Sequence, residues 1–291
     1  MRILVTGANG QIGFALKQKL SGEKRLLALT RDTLDITDET AVNKVVGSFN
    51  PDIIINAAAY TAVDKAESEE QLAYQINCDG PKFLAKAANA IDAAIIHIST
   101  DYVYDGNKIE AYVETDTVNP QGIYGKSKLA GEVEVVKYCN KHIVLRTAWV
   151  FGKHGDNFVK TMLGLGQKRD SLAIVGDQFG GPTYADDIAD AIIKIAKKLK
   201  ENKNINWGTY HFSGYPYVSW YEFAQQIFSQ ALKNEVIKNM PKLASIDTNA
   251  YPTPAARPKN SRVNCDKIKT QFDIEPSNWI NSLKDINAYN I

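Results

Sequence analysis

Ile3-Leu4-Val5-Thr6-Gly7-Ala8-Asn9-Gly10-Gln11-Ile12-Gly13 decides how this chain is read. A short apolar run ends at a glycine turn, and a helical pattern follows from Gln11 to Leu20. Glycine lets the backbone turn tightly and approach a pyrophosphate, while the N-terminus of the next helix offers free N–H groups and a partial positive charge. The bland alternative is a tight strand-to-helix turn without a ligand. The strand-before, helix-after context favours the phosphate-binding reading.

The rest of the first half alternates in the same way. Arg25–Leu29, Ile53–Ile55, Ala94–Ile98 and Ile143–Leu145 read as short buried strands. Ala41–Phe49, with Asp38 or Thr37 as N-cap, Asn77–Ala90, with Pro81 in its first turn, and Tyr124–Tyr138 read as helices between them. Such alternation predicts an α/β fold, a Rossmann-like doubly wound parallel sheet with helices on both faces. After Trp149 the pattern loosens. Asn157–Leu165 and Tyr184–Lys200 look helical, with a short strand at Leu172–Val175 between them, and Thr209–Phe212 is a further strand. Ser219 caps a helix that runs to about Leu232, Tyr251-Pro252-Thr253-Pro254 demands an extended loop, and the charge run Lys194–Lys203 reads as the solvated end of a helix. Residues 1–150 are therefore expected to form a dinucleotide-binding domain that also receives roughly 172–200. Residues 151–291 form mainly a smaller mixed α/β lobe for the substrate, interleaved with the first.

Composition narrows the partners. The formal net charge of the 291 residues is +1, which gives no reason to expect nucleic acid or a membrane surface. No apolar run approaches the roughly 18–20 residues of a membrane span. The N-terminus enters its first strand too soon for a secretory signal. Cys78, Cys139 and Cys265 are far apart and lack metal-ligand spacing, so they read as reduced, packed thiols of a cytoplasmic protein.

Chemistry-bearing residues gather at the expected strand ends, where ligands of open parallel sheets bind. Ser99-Thr100-Asp101-Tyr102 ends the fourth strand, and the Thr100 hydroxyl suits a substrate carbonyl; an ordinary polar strand end is the alternative. Asn56-Ala57-Ala58-Ala59 ends the third, and its small residues would let a cofactor approach. The second ends Leu29-Thr30-Arg31-Asp32: Thr30 and Arg31 lean towards NADPH, Asp32 keeps NADH open, and Arg31 is equally a plain surface arginine. Asp35 and Ile36 could border an adenine pocket. Tyr124 and Lys128 stand four apart, on one face of a helix. A phenol titrates at roughly 10, and a neighbouring ammonium lowers that value, so the pair is a tunable proton donor.

The glycine spacing resembles that of the extended short-chain dehydrogenases/reductases, and Thr100, Tyr124 and Lys128 resemble their Ser/Thr–Tyr–Lys triad. That resemblance implies a nicotinamide cofactor at Gly7, Gly10, Gln11, Ile12, Gly13, Thr30, Arg31, Asp35, Ile36, Ala57, Ala58 and Ala59. It implies Tyr124 as general acid, Lys128 as the group that lowers its pKa and holds the nicotinamide ribose, and Thr100 on the carbonyl oxygen. Longer strings resemble one family inside that group, the dTDP-4-dehydrorhamnose reductases. They are Asn56–Glu67, Ser99–Gly106, Asn119-Pro120, Lys128–Glu132, Arg146–Val150, Asp177–Thr183, Tyr251–Ala255 and Arg257-Pro258.

This closer resemblance implies reduction of the C4 ketone of dTDP-4-dehydro-6-deoxy-L-mannose to dTDP-L-rhamnose with NADPH or NADH. Thr100 and Asp101 would contact the sugar. Trp149 would pack on it, with a plain core aromatic as alternative, and Arg257 would sit near the diphosphate, with a structural salt bridge as alternative. Some members pair through a metal, so Mg²⁺ comes with the family. Here Ala15 stands where a carboxylate would be expected and only Asp186 fits another ligand position, so no metal residue is assigned and a monomer or homodimer is expected. Two other readings share these residues: another nucleotide-sugar reductase or epimerase of the same fold, and a non-catalytic NADP-binding regulatory subunit.

Overall fold

Neighbouring residues of a strand face opposite sides of a sheet, and the short apolar strands of this chain divide their side chains between two cores. Ile3, Val5, Ile53, Ile55, Ile96, Ile143 and Leu145 enter one cluster; Leu4, Ile54, Ile95 and Val144 enter another. The structure is a computed structural model and describes residues 1–201 and 205–289. In order, the main elements are β1 (Ile3–Thr6), α1 (Gln11–Lys19), β2 (Leu26–Leu29), α2 (Glu39–Phe49), β3 (Ile53–Asn56) and α3 (Glu70–Tyr74). A π-helical turn (Gln75–Asp79) then leads to α4 (Gly80–Ala90), β4 (Ala94–Thr100), α5 (Ile123–Tyr138) and β5 (His142–Thr147). The second half adds α6 (Phe158–Gly166), β6 (Ser171–Val175), α7 (Ala185–Glu201), β7 (Gly208–His211), α8 (Trp220–Lys233), β8 (Lys242–Ile246) and α9 (Asp266–Phe272).

Six parallel strands form the central sheet in the order β7-β5-β4-β3-β1-β2. The order in which strands are added therefore reverses at β1, and the crevice at the carboxyl ends of β1 and β3 is the place where such sheets bind ligands. Helices α2, α4 and α5 cover one face, and α1, α7 and α9 cover the other.

Two expectations about the second half change. Gly208–His211 belongs to the sheet, not to the lobe, because it pairs in parallel with β5 and buries Tyr210 beside Leu145. Residues 171–175 leave the sheet body and pair with β8, so of the stretch 172–200 only α7 joins that body, packed on α1. The lobe has its own core, which includes Phe151, Met162, Phe223, Phe228, Trp279 and Ile286. Its helix α8 starts at a capping box: Glu222 N–H donates to Ser219 Oγ at 3.1 Å, and Ser219 N–H donates to Glu222 Oε2 at 2.7 Å. Of the charge run, Lys194–Glu201 ends α7, while 202–203 lie outside the described residues. Asp38, rather than Thr37, caps α2 by accepting from Ala41 N–H at 3.0 Å.

The helix expected from Asn77 starts earlier, at Glu70, and passes through the π-helical turn. The turn buries Asn77 against α5. Its side chain accepts from Tyr60 N–H at 2.8 Å and donates to Ser127 Oγ at 3.0 Å. Its carbonyl lies so near Gly131 that an added Cβ would fall well inside contact distance. Gly131→Ala is therefore expected to cost about 1–3 kcal/mol of stability through overpacking. Urea denaturation checks this, and an unchanged midpoint would remove the Asn77 contact from the account of how α5 is seated.

Candidate active site

A cleft of about 580 Å³ opens at the carboxyl ends of the central strands. Asn9, Gly10, Gln11 and Ile12 line it from the glycine turn, Ala57 and Ala59 from the end of β3, and Thr100 and Asp101 from the end of β4. Tyr124 and Lys128 line it from α5, and Trp149 from the segment after β5.

The glycine turn owes its shape to missing side chains. Gly7 has φ +70°, and a Cβ there would meet Ala58 N at 2.5 Å and the Ala57 carbonyl carbon at 2.6 Å. A Cβ on Gly13 would strike the Gly7 carbonyl oxygen. Gly7, Gly13 and Ala58 are thus packing residues of the turn, while Gly10, Gln11 and Ile12 face the cleft. The first turn of α1 has no acidic side chain and no side-chain cap, which leaves its N–H groups to an anion. These residues fit the diphosphate of a dinucleotide.

A segment that the sequence reading passed over closes this end. Asn157 Nδ2 donates to Gln11 Oε1 at 3.2 Å, His154 Nε2 contacts the Asn9 carbonyl at 2.9 Å, and the His154 ring stacks on Phe14 at 3.9 Å. Gly155 and Asp156 from this segment line the cleft. The available signal was the turn-rich string Gly152–Asn157 just before α6.

Residues expected at the adenosine end behave differently. Thr30, Arg31 and Asp35 lie at and after the end of β2, outside the lining of the cleft. Thr30 N–H donates to Thr33 Oγ1 at 2.9 Å, in a local turn. Asp35 Oδ1 accepts from Thr37 N–H at 2.9 Å and from its hydroxyl at 2.8 Å, which holds the carboxyl below its usual range. Ile36 is not part of the cleft lining. It is buried in the core of α2 and α4, with its side chain against Gly80.

At the reacting end, Thr100 donates to Asp101 Oδ1 at 3.1 Å and accepts from Tyr102 N–H at 3.2 Å. Lys128 is buried and donates to the Ile98 carbonyl at 2.7 Å. Burial pulls its pKa down to about 8, with Glu132 opposing. The Tyr124 phenol is pushed above its ordinary value, first by burial and then by Asp101 and Tyr102, against the Thr100 hydroxyl. The expectation that Lys128 lowers the Tyr124 pKa is not met. The ammonium is turned to the β4 backbone, and loss of solvent governs the phenol.

Trp149 is not a plain core aromatic. It lines the cleft, stacks on Trp220 with ring centroids 3.5 Å apart and lies over Gly180, where a Cβ would come within 2.5 Å of Cε2. Its φ of +48° is a left-handed conformation that costs a bulky residue on the order of 1–3 kcal/mol. Arg257 Nη2 pairs with Asp64 Oδ2 at 2.7 Å, while its Nη1 is buried without a protein partner and the residue lines a small cavity beside Tyr102.

Three buried polar atoms at adjacent strand ends, Ser99 Oγ, Asp101 Oδ2 and Thr147 Oγ1, have no protein partner and belong to residues lining the cleft. Buried polar groups are normally hydrogen-bonded, so these suit a polyhydroxylated or carbonyl ligand. Residues Ala15 and Asp186 share a separate cavity with Lys19 and Lys153. One carboxylate beside two lysines does not fit Mg²⁺, which wants several oxygen ligands. Among the described residues no group of three His, Cys, Asp or Glu side chains could hold a metal.

Asp101 is 3% exposed, and burial raises its carboxyl from 3.8 to about 6. A folded-state value above the unfolded one means that the folded protein holds this proton more tightly. Stability from this group is complete below about pH 4 and is lost as pH rises to about 6. Asp101→Asn should therefore be more stable than the natural protein at pH 8 by about 1–3 kcal/mol, with the gap closing at pH 4. Urea melts at both pH values test this, and a less stable variant at pH 8 would overturn it.

The whole chain is similar to known proteins. Residues 1–290 match the family model described as RmlD substrate binding domain. A dTDP-4-dehydrorhamnose reductase from Aggregatibacter actinomycetemcomitans is 49% identical over 99% of both chains. Crystal structures of dTDP-4-dehydrorhamnose reductases from Clostridium acetobutylicum (41% identical, 98% of both chains covered) and from Bacillus anthracis in complex with NADP (38%, 99% of both) each superpose with a TM-score of 0.91. Over its whole matched length, this chain belongs to the RmlD substrate-binding-domain family, that of the dTDP-4-dehydrorhamnose reductases.

Proposed function

We propose that this protein reduces the C4 ketone of dTDP-4-dehydro-6-deoxy-L-mannose with NADPH or NADH and so forms dTDP-L-rhamnose. The carrying observation is that one cleft joins the glycine turn to Thr100, Asp101, Tyr124, Lys128 and Trp149. The Bacillus anthracis relative solved with NADP supports the cofactor class, and Thr30-Arg31 at the end of β2 favours the phosphorylated form. The sheet body holds the cofactor and the lobe closes the sugar side. A cytoplasmic enzyme, monomeric or homodimeric, goes with this reading.

When bound, the nicotinamide supplies the hydride. The chain must do the rest. The first turn of α1 holds the diphosphate, and Ala57 and Ala59 leave room beside it. Thr100 rotates its hydroxyl from Asp101 to the ketone oxygen, and Tyr124 gives that oxygen its proton. A raised pKa keeps the phenol fully loaded at neutral pH, and an alkoxide is a far stronger base than a phenolate. Lys128 holds the ribose from within the cleft. The Trp149 face packs on the apolar side of the deoxysugar, and Asp101 Oδ2 accepts from a sugar hydroxyl.

The test is a turnover assay with freshly generated keto-sugar, run in parallel with NADH and NADPH. Net loss of reduced cofactor is expected; an epimerase, which recycles its hydride, would show none, and neither would a regulatory subunit. Tyr124→Phe should lower kcat by about 10²–10⁴-fold while NADPH binding, followed by cofactor fluorescence, stays near that of the natural protein. Full turnover in that variant would remove Tyr124 from the proton step.

A further inference from the structure

Arg146 sits on β5 with 5% of its surface exposed, and its guanidinium has three well-placed contacts. Nε donates to Glu132 Oε1 at 2.9 Å, Nη2 donates to Glu132 Oε2 at 2.6 Å, and Nη1 donates to Tyr104 Oη at 2.7 Å. Glu132 lies on α5 one turn beyond Lys128, on the same buried face. Tyr104 follows the 3-10 turn Asp101–Val103 and is buried, stacked on Tyr112 at 4.2 Å. Its oxygen also lies 2.8 Å from His211 Nε2 on β7. One planar group thus touches the helix that carries Tyr124 and Lys128 and the segment that carries Thr100 and Asp101.

Stability alone explains this arrangement poorly. A buried ion pair is often no more stabilising than apolar side chains of the same volume, because both charges lose their water. What a guanidinium does supply is direction: its donors leave in a fixed plane and match a carboxylate with two parallel bonds. A flexible ammonium in its place would hold the charge but not the angles.

We infer that Arg146 is a positioning residue for the reduction, setting α5 against the end of β4 so that Tyr124 and Thr100 reach one substrate oxygen. This inference rests on the function proposed above. Misplacement of a reacting group by about 1 Å can cost on the order of 100-fold in rate, and among the described residues Arg146 is the side chain whose hydrogen bonds span Glu132 and Tyr104.

Three variants of the full chain test it. Arg146→Lys keeps the charge and loses the fork. The double variant Arg146→Met, Glu132→Leu removes both charges and refills the space with apolar volume. Tyr104→Phe removes a single hydroxyl. The first two are expected to lose about 10- to 100-fold in kcat, with KM for NADPH within about threefold, and the double variant is expected to melt at or above the temperature of the natural protein. A double variant that melts there and keeps kcat within about threefold overturns the inference, since the pair would then be structural only. If the double variant does not fold, Tyr104→Phe decides. A several-fold fall in kcat at an unchanged melting temperature supports the role, and unchanged kcat removes it. An idle natural protein that still binds NADPH would take down the functional reading and this inference together; active natural protein with unimpaired variants takes down Arg146 alone.

Discussion

The site depends first on a contact that no side chain could survive. Where β1 gives way to α1, Gly7 lies against the backbone of Ala57 and Ala58, and Gly13 lies against the Gly7 carbonyl. A methyl group at either position would have to move a strand or a helix, and the left-handed φ at Gly7 adds its own demand for glycine. The contact sets the open N-terminus of α1 at the edge of the sheet where the strand order reverses. The segment Gly152–Asn157 then reaches back from the lobe to Gln11 and Asn9, so the glycine turn is tied to the lobe.

Loss of solvent is the second organising force. Three groups at the reacting end shift towards their neutral forms: Lys128 downward, Asp101 and Tyr124 upward. Burial is the largest cause in each case. The Tyr124 phenol is governed by burial rather than by a neighbouring cation.

Much of this was legible in the sequence, and the limits have physical reasons. Ile3–Val5, Ile53–Ile55 and Ala94–Ile98 announced strands because buried parallel strands are apolar on both faces. The i, i+4 spacing of Tyr124 and Lys128 announced a shared helix face. It could not say where the Lys128 ammonium points, because that depends on an Ile98 carbonyl thirty residues away. Gly208–His211 announced a strand but not its sheet, since pairing with β5 is a long-range choice. Ile36 carried no sign that Gly80 would receive its side chain, and nothing around Arg257 pointed to Asp64. The π-helical turn at Gln75–Asp79 is set by packing against α5, which local propensity does not report.

The two buried cations on the seam between α5 and the sheet explain one another. Glu132 lies one turn from Lys128, a spacing at which a lysine and a glutamate ordinarily interact. Both Glu132 oxygens are instead taken by the fork of Arg146, at 2.9 and 2.6 Å. Lys128 is left with a neutral carbonyl as its bonded partner and with only the more distant field of Glu132. Burial therefore governs the ammonium and pulls its pKa down to about 8, against the opposing field of Glu132. With that carboxylate bonded twice by Arg146, Lys128 lines the cleft while bonded to a neutral carbonyl of β4.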